Sequence, residues 1–220
     1  PETVGDFSGV AYFFAREMHR ATGVPVGLIN CSWGGTPVEA WMSAPALAAD
    51  PSGPAITARW QQRLAVRAKD VERYSRDLAQ WRRAQTIPRA AGTPADAIEP
   101  KRPGRIDERW MPAGLYNAMI APFVPAALRG VIWYQGEANA PRHEEYESLF
   151  TGLIRQWRLD FGQEMPFLFV QLANHDRQSD TTQRSWAFLR EAQAAALKLP
   201  QTGMAVTIDI GELNDVHPRN

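Results

Sequence analysis

The chain has 220 residues, a length that fits one domain with a sizeable core and allows a second domain only if it is small. It carries 24 Lys and Arg against 24 Asp and Glu, so no net charge attracts nucleic acid or an anionic membrane surface. The single cysteine, Cys31, excludes an internal disulfide framework and a cysteine-based zinc site.

The sequence also limits cofactors and targeting. No apolar run is long enough to span a membrane, and no residues have metal-ligand spacing, so we expect no membrane span, no metal and no other cofactor. Because the first residue is Pro1 rather than Met, we expect an excised or processed piece whose targeting information has been removed. Cys31 ends an apolar run, where a buried, inert thiol is favoured over a nucleophile.

Apolar periodicity predicts that helices and strands alternate along most of the chain. The predicted helices are 8–21, 55–85, 115–121, 141–161 and 185–197, and the predicted strands are 24–30, 131–134, 167–172 and 204–210. We expect the first helix to be packed and the strand Val24–Asn30 to be buried in a parallel sheet. The alternation predicts an α/β fold with right-handed crossovers and helices on both faces of the sheet.

The composition changes between residues 50 and 110. One long amphipathic helix is followed by an irregular, Pro-rich connection over 86–110. A long loop of this kind inside a compact domain is uncommon unless it is functional or mobile. We therefore interpret 50–110 as a helical and irregular insertion over one edge of the core, and expect it to carry the substrate specificity.

Two polar or Gly-rich corners follow predicted strands. Gln135, Gly136, Glu137 and Asn139 come directly after the strand 131–134, and ligands of open parallel sheets bind where strands end. An ordinary polar loop remains the alternative. Gly34–Gly35 follows the strand 24–30 and allows either close approach to a ligand, with N–H groups pointing into a cavity, or a simple tight turn.

A third corner contains the titratable residues. Asp215 and His217 follow the last predicted strand, where the carboxylate can orient the imidazole as a general base, although Asp-x-His also occurs by chance. Of the other histidines, His19 and His143 lie on predicted helices as surface residues. His175 is an exposed loop residue that is a weaker candidate for substrate contact.

Together, these corners resemble the sialate O-acetylesterase family of SGNH-type carbohydrate esterases. The similar segments occur in the family's order over almost the whole chain: Phe7 to Arg16, Val26 to Trp41, Gly114 to Pro122, Trp133 to Asn139 and Asn214 to Pro218. The resemblance implies a three-layer α/β/α, flavodoxin-like SGNH hydrolase domain. It also implies removal of acetyl groups from sugar hydroxyls through a serine acyl-enzyme, and a secreted or periplasmic location.

The resemblance also implies roles for single residues. The catalytic histidine corresponds to His217 and its orienting aspartate to Asp215. Oxyanion and substrate contacts would come from Gly34–Gly35 and from the loop Gln135-Gly136-Glu137. Either Gln135 or Asn139 could provide the side-chain amide, and we favour Gln135, with Glu137 bracing the loop.

The sequence differs from the family pattern at the nucleophile. The family's serine lies in a Gly-Gln-Ser-Asn segment at the end of the first strand, and this chain contains neither Gly-Gln-Ser nor Gly-Asp-Ser. Ser8 enters a predicted helix, and Ser32 precedes Trp33, where the family has a non-nucleophilic residue. We therefore expect that the 220 residues lack the first strand, that the serine is on a missing segment or a companion chain, and that the isolated chain is an incomplete esterase.

The leading functional hypothesis is a carbohydrate O-acetylesterase that acts on an O-acetylated sugar or glycan by a Ser-His-Asp mechanism. An acetyl xylan esterase of the same superfamily is one alternative. The other is a non-catalytic carbohydrate-binding or structural protein in which Trp33, Trp41 and Trp110 stack on sugar rings.

Overall fold

The computed structural model describes residues 5, 7–86, 98–176 and 184–216. The described residues contain five α-helices: α1 (Gly9–Thr22), α2 (Ala44–Ala49), α3 (Gly53–Thr86), α4 (His143–Phe161) and α5 (Ser185–Ala195). They also contain three strands, β1 (Val131–Trp133), β2 (Phe167–Val170) and β3 (Thr202–Ala205). Short 3-10 turns and one π-helical turn, Tyr116–Ile120, join these elements.

The strands form one parallel sheet in the order β1–β2–β3. Trp133 is in register with Phe169, and Phe169 with Met204, so all three strands end at the same edge of the sheet. Helix α4 connects β1 to β2, and α5 connects β2 to β3, as expected for parallel strands. The predicted α/β class with parallel strands is confirmed.

Aromatic side chains form the centre of the core, between the sheet and α4. The indole of Trp133 lies 5.8 Å from that of Trp157 and 6.3 Å from that of Trp41, both edge to face. Trp157 Nε1 donates to the carbonyl of Trp41 at 3.1 Å. Since aromatic pairs prefer this edge-to-face geometry, the cluster fixes the end of β1 against the segment that follows residue 37.

The first helix is confirmed, but its predicted packing is wrong for the described part of the chain. Ser8 caps α1 by accepting from Ala11 N at 3.3 Å, and Gly23 ends it with φ +69°. Only Ala11 and Ala15 of the helix are buried, whereas Phe13 is 54% exposed. Apolar spacing identifies a face for burial, but burial also requires a neighbouring surface.

The predicted buried strand Val24–Asn30 is also wrong within the described ranges. This segment has no strand pairing and its residues are exposed, with Val24 at 58% and Ile29 at 51%. A strand is defined by hydrogen bonds to a neighbour, and none of the described strands lies beside this segment. In addition, β3 begins and ends earlier than the predicted 204–210, and a turn over 207–210, closed by Ile210 N donating to the carbonyl of Thr207 at 3.3 Å, occupies the end of the predicted strand.

The insertion begins with the predicted long helix. Helix α3 has 34 residues and extends the predicted helix 55–85 by two residues at the start and one at the end. Of the predicted irregular connection, 87–97 lie outside the described residues, and 98–107 have no regular structure. No helix in the described part of the chain combines the length and apolarity needed to cross a membrane.

Candidate active site

The first corner is a bend over residues 31–37 that is held in place from two sides. Gly35 has φ +73°, a left-handed conformation that favours glycine. Thr36 Oγ1 donates to the carbonyl of Trp33 at 2.8 Å, and Arg109 donates to the carbonyl of Gly34 at 3.1 Å. Among the described residues, the N–H groups of Gly34 and Gly35 have no acceptor and are exposed. The bend therefore presents two free backbone donors.

The second corner follows β1 and contacts the first one through Gln135. The amide nitrogen of Gln135 donates to the carbonyl of Thr36 at 3.1 Å and to Asn139 Oδ1 at 2.7 Å. Its side-chain oxygen accepts from the Tyr146 hydroxyl at 3.0 Å. Gln135 is buried, so these bonds are shielded from water. Both amide protons are thus occupied, one in joining the two corners and one within the second corner, and a donor role towards substrate would require one of them to be released.

Asn139 makes a second connection between the corners. It is fully buried, accepts from Val38 N at 2.9 Å and donates to Glu39 Oε2 at 2.8 Å. The other oxygen of Glu39 accepts from Arg142 at 3.1 Å, which balances the charge of this buried carboxylate. Gln135, Asn139, Glu39 and Arg142 form what we call the bridging network.

Tyr146 of α4 and Gln193 of α5 position the second corner by hydrogen bonds to the backbone of Gln135. The single hydroxyl proton of Tyr146 is shared between Gln135 Oε1 and the backbone carbonyl of Gln135 at 3.1 Å, and complete burial raises the pKa of Tyr146 well above its usual value. The phenol is therefore a stable donor. Gln193 of α5 donates to the same carbonyl at 3.1 Å and accepts from Leu172 N at 2.9 Å. It thereby ties the turn after β1 to the segment after β2.

Gly136 permits this close packing. A Cβ at this position would lie 2.9 Å from Leu189 Cδ2 and 3.1 Å from Leu172 Cδ1. Position 136 must therefore lack a side chain, because Leu189 of α5 packs directly against its backbone. Glu137, the next residue, is half-buried at the start of a 3-10 turn, and its bracing role stays a prediction.

The third corner follows β3 and packs on the segment after β2. Asp176 N donates to the carbonyl of Leu213 at 2.8 Å, and a Cβ on Gly211 would lie 2.7 Å from Ala173 Cβ. Asp215 is half-buried and forms an antiparallel bridge with Glu212. This corner is thus fixed at the carboxyl edge of the sheet. His217 lies outside the described residues, so the role predicted for it stays a prediction.

The hydroxyl groups of Ser8 and Ser32, the two serines considered as nucleophiles from the sequence, form hydrogen bonds to nearby residues. Ser8 caps α1, and the exposed Ser32 donates from Oγ to Asn30 Oδ1 at 2.7 Å. His175 is half-buried, 5.1 Å from the indole of Trp186, and His19 Nδ1 lies 2.9 Å from the carbonyl of Val24. Within the described ranges, no three His, Cys, Asp or Glu side chains are grouped as a metal site would require.

Several members of this site are not predicted from the sequence. Glu39 lies within a segment similar to the family, but its carboxylate was not singled out. Tyr146 lies in the predicted helix 141–161, where apolar periodicity predicts burial but no hydrogen bond, and Gln193 lies in the predicted helix 185–197 and is not among the predicted site residues. A polar residue at a core-facing helical position was the signal available for Gln193, because such residues require a buried partner.

The chain is similar to known proteins of one family. A family model described as carbohydrate esterase, sialic acid-specific acetylesterase, matches residues 103–219, more than half of the chain. The sialate O-acetylesterase of Homo sapiens is 29% identical over 232 residues, which cover 97% of this chain and 36% of that protein. The sialate O-acetylesterase of Rattus norvegicus is 31% identical, with 97% and 40% covered.

A solved structure of a carbohydrate acetylesterase is also similar to this chain. The crystal structure of a carbohydrate acetylesterase from Xanthomonas citri has a TM-score of 0.69 and 36% identity, and the match covers 98% of this chain and 38% of that one. The chain thus spans about two fifths, or slightly less, of the length of these relatives. From the family match, the chain belongs to the carbohydrate esterase family of sialic acid-specific acetylesterases.

Proposed function

We propose that this protein is a carbohydrate O-acetylesterase that removes acetyl groups from sugar hydroxyls through a serine acyl-enzyme. Family membership and the sialate O-acetylesterase relatives support this function. The observation that carries it is the direct connection of the first two corners, through Gln135 to Thr36 and Asn139 to Val38. This connection brings a bend with free N–H groups to the turn at the carboxyl end of β1.

In this proposal, the first two corners stabilise the oxyanion. The N–H groups of Gly34 and Gly35 are unpaired among the described residues and can donate to the carbonyl oxygen as negative charge develops on it. Each preorganised donor of this kind lowers the barrier by about 3 kcal/mol. Gln135 could add a side-chain donor only by exchanging its bond to Thr36 or Asn139. Glu137 would brace the loop.

Proton transfer is assigned to the third corner. His217 would take the proton from the serine hydroxyl as it attacks the acetyl carbonyl, and would then protonate the departing sugar oxygen. Water, activated by the same imidazole, would attack the acyl-enzyme and release acetate. Asp215 would hold the imidazole in the tautomer that accepts this proton. The half-buried position of Asp215 at the carboxyl edge of the sheet supports this role.

We further propose that the nucleophilic serine is supplied from outside these 220 residues, by another segment or a companion chain. Ser8 and Ser32 make local bonds that suit other roles. Strand β1 has one neighbour, β2, among the described strands, so its other edge is open to pairing. The exposed apolar residues of 24–30 and α1 are surfaces that an added strand would cover. We place the protein in a secreted or periplasmic location.

The test is acetate release from an O-acetylated sugar by the full native protein. The His217→Ala variant should lower kcat by at least about a thousandfold, since it removes the general base. His19→Ala, which changes a surface histidine, is the matched control and should leave kcat unchanged. A loss below about tenfold for His217→Ala would remove this residue from the mechanism. Sugar binding without turnover by the native protein would leave a non-catalytic scaffold as the function.

A further inference from the structure

The peptide group between Gly34 and Gly35 is held at its carbonyl end by a cation. Arg109 Nη1 donates to the carbonyl oxygen of Gly34 at 3.1 Å, although the two residues are 75 positions apart in the chain. The bond between the two glycines is trans. In a planar trans peptide the C=O and N–H groups point in opposite directions. The N–H of Gly35, which belongs to the same peptide group, therefore points away from Arg109.

The preceding peptide group, between Trp33 and Gly34, is held in the same way by a neutral donor. Thr36 Oγ1 donates to the carbonyl of Trp33 at 2.8 Å, and the same hydroxyl accepts from Trp41 Nε1 at 3.0 Å. Thr36 and Trp41 are buried, so water does not compete for these bonds. Both exposed N–H groups of the bend thus belong to peptide groups whose carbonyl oxygens are already bonded within the protein.

Asp107 fixes the orientation of the Arg109 guanidinium. Arg109 Nε donates to Asp107 Oδ1 at 2.8 Å and Nη2 donates to Oδ2 at 2.7 Å, which is the bidentate geometry of a strong ion pair. These two bonds leave Nη1 for the Gly34 carbonyl. The hydrogen bond from Arg109 lowers the pKa of Asp107, so the carboxylate stays ionised at neutral pH. Arg109 is therefore a cation with a defined direction.

The backbone that carries Arg109 is also fixed relative to the bend. Arg109 is the central residue of the 3-10 turn Glu108–Trp110. Three residues after this turn, Ala113 N donates to the carbonyl of Glu39 at 3.0 Å. Glu39 belongs to the bridging network, which joins the first two corners of the candidate site. The arginine therefore reaches the bend from a backbone that is bonded to the same site.

A cation at the carbonyl end of a peptide group affects the N–H at the other end in two ways. It restricts rotation of the peptide plane, which matters between two glycines because their backbone is the least restrained of any residue type. It also polarises the peptide group, since a hydrogen bond at one end strengthens the hydrogen bond made at the other. The N–H of Gly35 is therefore a preorganised and strengthened donor, the property that an oxyanion site requires.

We propose that Arg109 is a positioning residue for ester hydrolysis: through the carbonyl of Gly34 it orients and strengthens the Gly35 N–H that stabilises the oxyanion. This inference rests on the proposed esterase function and adds to it a residue that contacts neither the acetyl group nor the sugar. The effect falls on kcat rather than on KM, because negative charge on the carbonyl oxygen develops only in the transition state.

The test measures acetate release by the full native protein and its Arg109→Met variant, from an O-acetylated sugar and from ethyl acetate, which has no sugar. Removing an oxyanion donor costs about a hundredfold or more, and here the donor is weakened, so kcat for the sugar ester should fall by at least about tenfold. KM should stay within about twofold, and kcat/KM for ethyl acetate should fall by the same factor as for the sugar ester. Arg109→Lys, which keeps a cationic donor but loses the bidentate pair, should have a kcat at least about threefold above that of Arg109→Met.

Arg105→Met is the matched control, because Arg105 is an exposed arginine four positions earlier, and it should keep the native kcat. An unchanged kcat in Arg109→Met would overturn the proposal. A loss confined to the sugar ester would also overturn it, since Arg109 would then contact the sugar instead of positioning the bend.

A second measurement needs no turnover. Gly34–Gly35 is the one Gly-Gly pair of the 220 residues, so glycine labelled with carbonyl ¹³C and with ¹⁵N gives a single carbonyl-to-amide NMR correlation from them, assigned by its loss in Gly34→Ala. In Arg109→Met, the Gly34 carbonyl carbon and the Gly35 nitrogen should both move upfield, because the carbonyl loses its donor, whereas in Arg105→Met both should stay in place. Unchanged resonances in Arg109→Met would overturn the proposal. If the native protein hydrolyses neither ester, the proposed esterase function fails, and the resonances still decide whether Arg109 polarises this peptide group.

Discussion

Removing the side chain of Asn139 should disconnect the two corners of the candidate site. Asn139→Ala deletes bonds to Val38 N at 2.9 Å, to Gln135 at 2.7 Å and to the Glu39 carboxylate at 2.8 Å. Two neutral bonds contribute about 1 kcal/mol each and the charged one about 2 kcal/mol, and their partners stay buried. We expect the free energy of unfolding to fall by about 3–5 kcal/mol.

Urea denaturation followed by tryptophan fluorescence measures this loss, because Trp133 and Trp157 report on the core beside the network. The matched control is Asn117→Ala, at an exposed position, which should change the free energy of unfolding by less than about 0.5 kcal/mol. If Asn139→Ala costs less than about 1 kcal/mol, the network does not hold the corners together, and the reasoning from its buried bonds is refuted.

Two further predictions concern the packing and the thiol near these corners. Gly136→Ala should destabilise the protein by about 1–3 kcal/mol, since the new Cβ would press on Leu189 and Leu172. In the same urea experiment Gly104→Ala, which has open space around it, should be nearly neutral, and equal effects of the two variants would contradict the packing argument. Burial raises the pKa of the Cys31 thiol, so at pH 8 less of it is thiolate than in a free peptide. Mass spectrometry should show slower iodoacetamide alkylation of Cys31 than of a cysteine peptide, with the rate still rising above pH 9; a rate equal to that of the peptide would refute this.

The sequence predicted those parts of the fold that depend on local pattern. Helices α3 and α4 and the parallel strands follow from apolar spacing, because one chain segment contains the whole signal. The prediction of a buried strand is wrong for Val24–Asn30. The composition of this segment favours a strand, but its burial depends on a second strand beside it. Burial is a property of two surfaces, and the pattern of one segment reports only one of them.

The candidate site was predicted in location but not in its bonding. Gln135 and Asn139 were identified as polar residues at a strand end, where they lie. Their partners Thr36 and Val38 are about a hundred positions away, and no local rule indicates that their amides are taken by backbone groups. The hydrogen bonds of the Tyr146 hydroxyl could not be predicted for the same reason, since the apolar periodicity of the helix predicts burial of the ring and says nothing about its bonding partners.

Identification of the acylated serine tests the proposed mechanism most directly. The full native protein would be treated with a fluorophosphonate, and the labelled peptide mapped by mass spectrometry, alongside the His217→Ala variant. We predict that the label falls on a serine outside these 220 residues and forms more slowly in the variant, because the general base is lost. A label on Ser32 or another serine of this chain, or an equal rate in the variant, would contradict the proposed mechanism.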